Sequence, residues 1–444
     1  MSAERRKIAI WGYGREGKAA LAHLQMQRPS DDFTILNDTP LDAASAPAAG
    51  FRVLIGEQAN AALRGEHFDT IVKSPGISLY RPEVAAARTN GATITSATNL
   101  WFEENPAAQT IAVTGTKGKS TTSRLLHHIL KKAGRDVALL GNVGVAALGQ
   151  PAGRDHTVLE LSSYQIADLA HAPSIAIITN LYVDHVPWHG SIEQYHQDKL
   201  RLIEDPATLA VLNHASEGLR AYARTRTNTL WYNRADGFHV SSGKLYFGDT
   251  LVDTSGFPLR GAHNLENLAA ACAVADSLGL TSLRQRVDIP DFEQLRHRQE
   301  EFRAGNGVLC VNDSISTVPE ATKVALDAYA GIPCALILGG TDRGQDHAAL
   351  LEYLKTSSVI ATILLPDTGR RIANEMQGKD WPFAVVPVND LEQAVHEAMA
   401  RVPHDGVVML SPAAPSFGQF RNFEDRGDRF KELASACLSS DNGS

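Results

Sequence analysis

Short apolar runs, each closed by a glycine- or serine-rich turn and followed by a helical stretch, recur from one end of the chain to the other. The first, Lys7–Trp11, opens into Gly12-Tyr13-Gly14-Arg15-Glu16-Gly17 and a helical pattern reaching about Gln27. Phe33–Leu36 ends in Asn37-Asp38-Thr39, and Thr70–Lys73 ends in Ser74-Pro75-Gly76. A second block begins with Thr110–Thr114, a glycine-rich turn and a helix from Lys119 to about Ala133. It continues through Val158–Leu161, Ile175–Thr179 and Gly261-Ala262-His263-Asn264 to an alanine-rich helix ending near Leu278. A third block carries Val308–Val311, Ala335–Leu338, Ile360–Leu365 and Val407–Leu410. Strand–turn–helix alternation of this kind is the pattern of parallel sheets with covering helices. An α/β chain of three domains is expected, residues 1–97, 98–299 and 300–444, with a frayed tail at Ser439–Ser444.

Composition narrows the function. A length of 444 residues exceeds what one hydrophobic core supports, in keeping with several domains. A net charge of −8 gives no basic footprint, so nucleic acid is not an expected partner. No apolar run nears the ~20 residues that span a bilayer, and the charged stretch before Ile8 is not expected to act as a signal peptide. A cytoplasmic monomer without membrane insertion is expected. Cys272, Cys310, Cys334 and Cys437 show neither a close pair nor metal-ligand spacing, and they read as buried small apolar residues.

The strongest chemical signal is Gly115-Thr116-Lys117-Gly118-Lys119-Ser120-Thr121, set between a strand and a helix. Glycines there let backbone amides close around phosphate oxygens, and the helix N-terminus adds partial positive charge. Lys119 supplies a point charge for the β- and γ-phosphates, and the Ser120 hydroxyl suits Mg²⁺. Glu160, at the end of a strand and before Ser162-Ser163-Tyr164-Gln165, is placed to support a further magnesium position. His185, in the polar loop Thr179–His189, could bind a metal through neutral imidazole. Lys199, read alone, is an exposed helix lysine. The first glycine turn, with Asp38 about 20 residues on, fits any ligand carrying a pyrophosphate.

Together these motifs resemble the Mur ligases of peptidoglycan synthesis, a family that also includes the folylpolyglutamate synthases. The loop Gly115–Thr121, the tract Leu159-Glu160-Leu161-Ser162-Ser163, Asp184-His185, Lys199, Gly261-x-His263-Asn264-x-x-Asn267 and His297-Arg298 match in order across essentially the whole chain. The resemblance implies a Rossmann-like N-terminal domain for a UDP-substrate, a central P-loop ATPase-like domain and a Rossmann-like C-terminal domain. It implies Lys119, His185 and Lys199 as catalytic residues. Lys199 would be carbamylated by CO₂ and would join Ser120, Glu160 and His185 around magnesium. Asn264, Asn267, Arg298 and Asp313 would contact ATP with the loop. Gly14, Arg15, Glu16, Asp38, Thr39, Gly76 and Asn142 would hold UDP-N-acetylmuramoyl-L-alanine, the last within Gly141-Asn142-Val143-Gly144. The C-terminal run Leu410–Gly427 is close to the signature of members that add glutamate to that substrate through an acyl-phosphate, with Thr317, Arg343, Ser416, Phe417 and Phe423 as glutamate contacts.

Departures cluster on that amino-acid site. Asn312-Asp313-Ser314 is followed by Ile315 and Val318 where the family pattern has lysine and asparagine. Arg343 stands in place of a lysine, and Phe417 in place of a smaller aliphatic residue. Arginine would hold a carboxylate bidentately from another angle. L-glutamate is therefore expected as substrate, with D-glutamate the alternative. A folylpolyglutamate synthase is a more remote reading, since it lacks the UDP-type domain implied by the residues before the loop. A nicotinamide dehydrogenase would leave Gly115–Thr121 without a purpose, and a nucleotide switch would have no need of Lys199, His185 and a third domain.

Overall fold

The computed structural model describes residues 5–41, 47, 50–143, 145–182 and 186–437. His185, Asp184, Gly144 and the tail Ser439–Ser444 lie outside the described residues. The chain forms two compact units, one made of Met1–Phe257 with His263–Ile289 and the other of Pro258–Ala262 with Pro290–Ser444.

The first unit holds two parallel sheets. In the first sheet, β1 (Lys7–Trp11), β2 (Asp32–Asn37), β3 (Arg52–Ile55), β4 (Thr70–Lys73) and β5 (Thr93–Thr95) lie in the order β3-β2-β1-β4-β5. The order reverses at β1, so the carboxyl ends of β1 and β4 frame the crevice where such sheets bind ligands. The second sheet is β6 (Thr110–Thr114), β7 (Val137–Gly141), β8 (His156–Glu160), β9 (Ile175–Ile178), β10 (Leu209–Asn213) and β11 (Thr229–Tyr232), ordered β11-β10-β9-β6-β8-β7. Its middle strands are buried along their length, which is why they read as unbroken apolar runs. A small antiparallel sheet follows, β12 (Phe238–Ser241), β13 (Lys244–Phe247) and β14 (Thr250–Leu251).

The helix Lys119–Lys132 buries Leu125, Leu126, Ile129 and Leu130 along one stripe. Lys131 and Lys132 sit in its last turn, where cations favour the helix dipole. The second unit is one sheet, ordered β15-β16-β20-β17-β18-β19, from β15 (Glu300–Arg303), β16 (Leu309–Asn312), β17 (Cys334–Gly340), β18 (Val359–Asp367), β19 (Ala384–Pro387) and β20 (Val407–Leu410). Only the β15–β16 pair in it is antiparallel. Cys272, Cys310 and Cys334 are buried as expected, while Cys437 is half-buried. Among the described residues no helix is long and apolar enough to cross a membrane.

Candidate active site

In the first unit, β6 runs out at Thr114 and the chain turns through Gly115–Gly118 into the helix beginning at Lys119. Two glycines make that turn possible. Gly115 has φ +142, and a Cβ on it would lie 1.9 Å from the Thr179 hydroxyl. Gly118 has φ +85, and a Cβ there would come within 2.4 Å of Asn267 Oδ1. Only glycine takes such backbone angles with neighbours so close. The loop is pinned from the next strand: Thr116 N and Lys117 N donate to Asn180 Oδ1 at 3.1 and 2.9 Å, and Thr179 Oγ1 donates to the Lys117 carbonyl at 2.6 Å. Asn267 also accepts from Thr122 Oγ1 at 3.3 Å and donates to Asn264 Oδ1 at 3.4 Å. Asn267 thus stands against the loop, with Asn264 hydrogen-bonded behind it.

Glu160 ends β8, next to β6 in the sheet, and is wholly buried rather than a solvated strand end. Its Oε1 accepts from Ser120 Oγ and from Asn142 Nδ2, each at 3.1 Å, while Oε2 is buried with no partner among the described residues. An ionised carboxylate in that state is costly unless a cation completes it. The Ser120–Glu160 pair therefore fits a magnesium ion. Among the described residues no three His, Cys, Asp or Glu side chains gather as a metal site.

Lys199 overturns the reading of an exposed helix lysine. It is 1% exposed, its ammonium 3.0 Å from the Gly115 carbonyl and 4.9 Å from the centre of the Tyr195 ring. Lys119 donates to the same carbonyl at 2.8 Å and to the Thr116 carbonyl at 3.0 Å. Two lysine nitrogens thus converge on one oxygen at the root of the phosphate loop.

Of the residues expected to hold the UDP-substrate, those before Asn142 follow the carboxyl ends of β1, β2 and β4, while Asn142 follows β7 in the second sheet. Gly12 (φ +90) turns the chain after β1, and a Cβ on Gly17 would lie 2.0 Å from the Gly12 carbonyl, so the next helix packs closely there. Gly14 caps that helix without a side-chain bond. Arg15 reaches the Gly141 carbonyl at 3.4 Å, which joins it to the Asn142 turn. Asp38 is paired with Arg81 at 2.6 Å, and the Thr39 carbonyl accepts from Asn37 at 2.7 Å. The Gly76 carbonyl accepts from Trp188 Nε1 at 3.2 Å. Glu16 is engaged elsewhere: Gln165 donates to it at 2.8 Å, and burial raises its carboxyl above the usual range despite Arg15 beside it.

In the second unit, Asp313 is buried after β16, accepting from Ser316 at 2.5 Å, Ser411 at 2.7 Å and the Gln299 amide at 3.2 Å. Burial, against those hydrogen bonds, pushes its carboxyl up to about 6. Arg298 is half-buried on the segment before β15. Of the expected glutamate contacts, Arg343 stacks 5.6 Å from the centre of the exposed Phe417 ring, and Ser416 is buried beside it in sequence. Thr317 accepts from Gln345 through its carbonyl, and the Phe423 carbonyl accepts from Ser314 Oγ at 2.8 Å. Ile315 and Val318 are half-buried.

Sequence reasoning gave no role to several polar residues here. Asn180 lay in a tract already singled out, yet nothing local marked it as the clamp of the loop. His189 is buried between Asp198 Oδ2 at 2.5 Å and Ser163 Oγ at 3.0 Å, and Tyr80 donates to Asp198 Oδ1 at 2.6 Å. Arg426 is fully buried, donating to the Ser314, Ala414 and Pro415 carbonyls and to Ser314 Oγ. Desolvation lowers its guanidinium to about 9.

Residues 113–275 match the family model of the Mur ligase middle domain, and residues 297–414 match that of the Mur ligase glutamate ligase domain. The chain is similar to the UDP-N-acetylmuramoyl-L-alanine--L-glutamate ligase of Micromonospora sp., 38% identical over 443 residues, covering 96% of each chain. The enzymes of that name from Xanthomonas euvesicatoria pv. vesicatoria and Xylella fastidiosa are 36% and 37% identical, covering 97% and 96% of this chain and 95% of each relative. Among solved structures, the UDP-N-acetylmuramate-alanine ligase of Thermotoga maritima has a TM-score of 0.57 at 18% identity, covering 96% of this chain and 99% of that one. The MurF ligase of Thermotoga maritima in complex with ADP also has a TM-score of 0.57, at 17% identity, covering 97% of this chain and 95% of that one.

Proposed function

The chain belongs to the Mur ligase family, whose members are ATP-dependent ligases, and from that premise we propose that it joins L-glutamate to UDP-N-acetylmuramoyl-L-alanine through an acyl-phosphate in peptidoglycan precursor synthesis. The observation that carries ATP-driven ligation is the loop Gly115–Thr121, with Lys119 and Lys199 converging on one carbonyl beside the buried Glu160. The substrate carboxylate attacks the γ-phosphorus, ADP leaves, and the amine of the amino acid then attacks the acyl carbon and expels phosphate. Both reactants of the first step are anionic. Lys119 and the loop amides offset that repulsion and the charge developing on the transferred group. Magnesium, held by Ser120 and Glu160 and, on the reading from resemblance, by His185 and Lys199, would add further neutralising charge.

Carbamylation of Lys199 has a physical motive. Two ammonium groups on one buried carbonyl repel each other, and converting one into a carbamate turns repulsion into attraction. Three domains, divided near residues 97 and 299, are supported by three large sheets, two wholly parallel and the third parallel apart from its β15–β16 pair. Gly14, Arg15, Asp38, Thr39, Gly76 and Asn142 form the UDP-substrate site, and Asn264 and Asn267 stand with the loop as ATP contacts; Arg298 and Asp313 are ATP contacts on the resemblance alone. Glu16 belongs to the UDP-substrate site by sequence, with Gln165 holding its carboxylate. Thr317, Arg343, Ser416, Phe417 and Phe423 form the glutamate site. The L-isomer is supported by Arg343 stacked on Phe417 and by the names of the relatives.

The test is phosphate release from ATP with UDP-N-acetylmuramoyl-L-alanine and a panel of amino acids that includes both glutamate isomers. Release should require the UDP-substrate and be fastest with L-glutamate. A higher kcat/KM for D-glutamate would overturn the isomer, and release independent of the UDP-substrate would overturn the reaction.

A further inference from the structure

In the second unit, the loop between β17 and the helix Ala348–Leu354 carries an acceptor that none of the described residues uses. Gln345 donates Nε2 to the Thr317 carbonyl at 2.6 Å, whereas its Oε1 is buried with no hydrogen-bond partner among the described residues. The donor bond fixes the amide's sense, because turning it over would set two acceptor oxygens against each other. Oε1 therefore sits beside Thr317.

The loop is held firmly. Arg371 binds the Asp342 carboxylate at 2.8 and 3.2 Å and the Gln345 carbonyl at 2.8 Å. Asp342 also accepts from the Gly344 amide at 2.9 Å. Thr341 N donates to the Pro415 carbonyl at 2.9 Å, and the Thr341 hydroxyl bonds the Phe417 carbonyl. Gln345 thus shares a braced cluster with Thr317, Arg343 and Phe417. A buried acceptor left without a donor is unfavourable, and a ligand that supplies the donor gains by it.

Glutamate offers three polar groups. Two are carboxylates, which when ionised only accept hydrogen bonds. Its amino nitrogen alone can donate. We propose that Gln345 Oε1 accepts a hydrogen bond from the amino group of the incoming amino acid, making Gln345 a specificity-determining contact for its hand. The inference rests on the glutamate site proposed above. With Arg343 on one carboxylate and Gln345 on the nitrogen, the remaining carboxylate reaches its own partner in one enantiomer only. A neutral acceptor suits a nucleophile, since it orients one N–H without stabilising the ammonium form as a carboxylate would.

The experiment compares wild type with Gln345→Met, which keeps length but removes the acceptor, and with Gln345→Glu, which restores one with charge. In Gln345→Met the KM for L-glutamate should rise at least tenfold while those for ATP and the UDP-substrate stay within twofold, and the preference between glutamate isomers should shrink. Inhibition by glutarate, which is glutamate without its amino group, should be unchanged. Gln345→Glu should recover KM but lose kcat, because a carboxylate holds the amine protonated. An unchanged L-glutamate KM in Gln345→Met, or an equal loss of glutarate inhibition, overturns the inference alone. A wild-type enzyme that ligates neither isomer overturns the glutamate reading as well.

Discussion

Replacing Lys199 with alanine separates what the side chain does for the fold from what it does for the reaction. The lysine is 1% exposed, so alanine removes buried methylenes worth about 0.8 kcal/mol each, roughly 2–3 kcal/mol in all. It also removes the hydrogen bond to the Gly115 carbonyl, worth about 1.5–3 kcal/mol as a charged bond. Against this, a buried charge, ammonium or carbamate, no longer has to be desolvated, a saving of several kcal/mol. These terms offset, and the folded state should change by no more than about 2 kcal/mol. The reaction should suffer more, because losing one preorganised charge in a dry site typically lowers kcat about 10²- to 10³-fold. Urea denaturation reads the first quantity and phosphate release the second. The space left by the side chain should admit acetate, and millimolar acetate should restore part of the rate. With ¹³C-bicarbonate, a carbamate carbon signal should appear in wild type and be missing from the variant. A variant retaining more than a tenth of the wild-type rate, or one deaf to acetate with no carbamate signal in wild type, would refute the reasoning.

Lys119→Ala should abolish ligation while leaving the UDP-substrate Kd within twofold of wild type, since the expected UDP contacts lie on other strands; calorimetry and phosphate release check both halves. Asp313 gives a pH signature: its carboxyl is near 6 when folded and about 3.9 when unfolded. As pH rises the unfolded chain loses this proton first, so its stabilising contribution is complete below about pH 4 and lost by about pH 6. The loss amounts to about 3 kcal/mol. Asp313→Asn should flatten that slope in urea titrations across the window, and parallel curves for the two proteins would count against it.

Legibility of the fold followed burial. Lys7–Trp11, Thr70–Lys73, Thr110–Thr114 and Val407–Leu410 read from the sequence to the residue, because interior parallel strands have apolar centres and these end at Gly or Ser turns. The strands that were missed are β3, β5, β7, β11, β15 and β19 at sheet edges, together with β10 and the small sheet β12–β14. The edge strands β3 and β11 are part-solvated and short, each opening on a polar residue, Arg52 and Thr229, and leaving an apolar run too brief to stand out. Leu209–Asn213 is an interior strand as apolar as its neighbours, and nothing physical hid it.

The phosphate loop was determined by sequence alone, since strand, glycine turn and helix are contiguous and the required backbone angles are local. So were the glycine turn after β1 and the break in pattern around Ile315, Val318 and Arg343. Only the tertiary structure decided that Lys199 is buried against Gly115, 84 residues away, and that Asn180 clamps a loop 64 residues before it. The same holds for the Ser163–His189–Asp198 chain and for Gln345 beside Thr317. Helical period assigns a residue to a face, but what covers that face depends on which strands lie side by side. Buried polar contacts across such distances have no local signature, because their partners meet only when the sheets form.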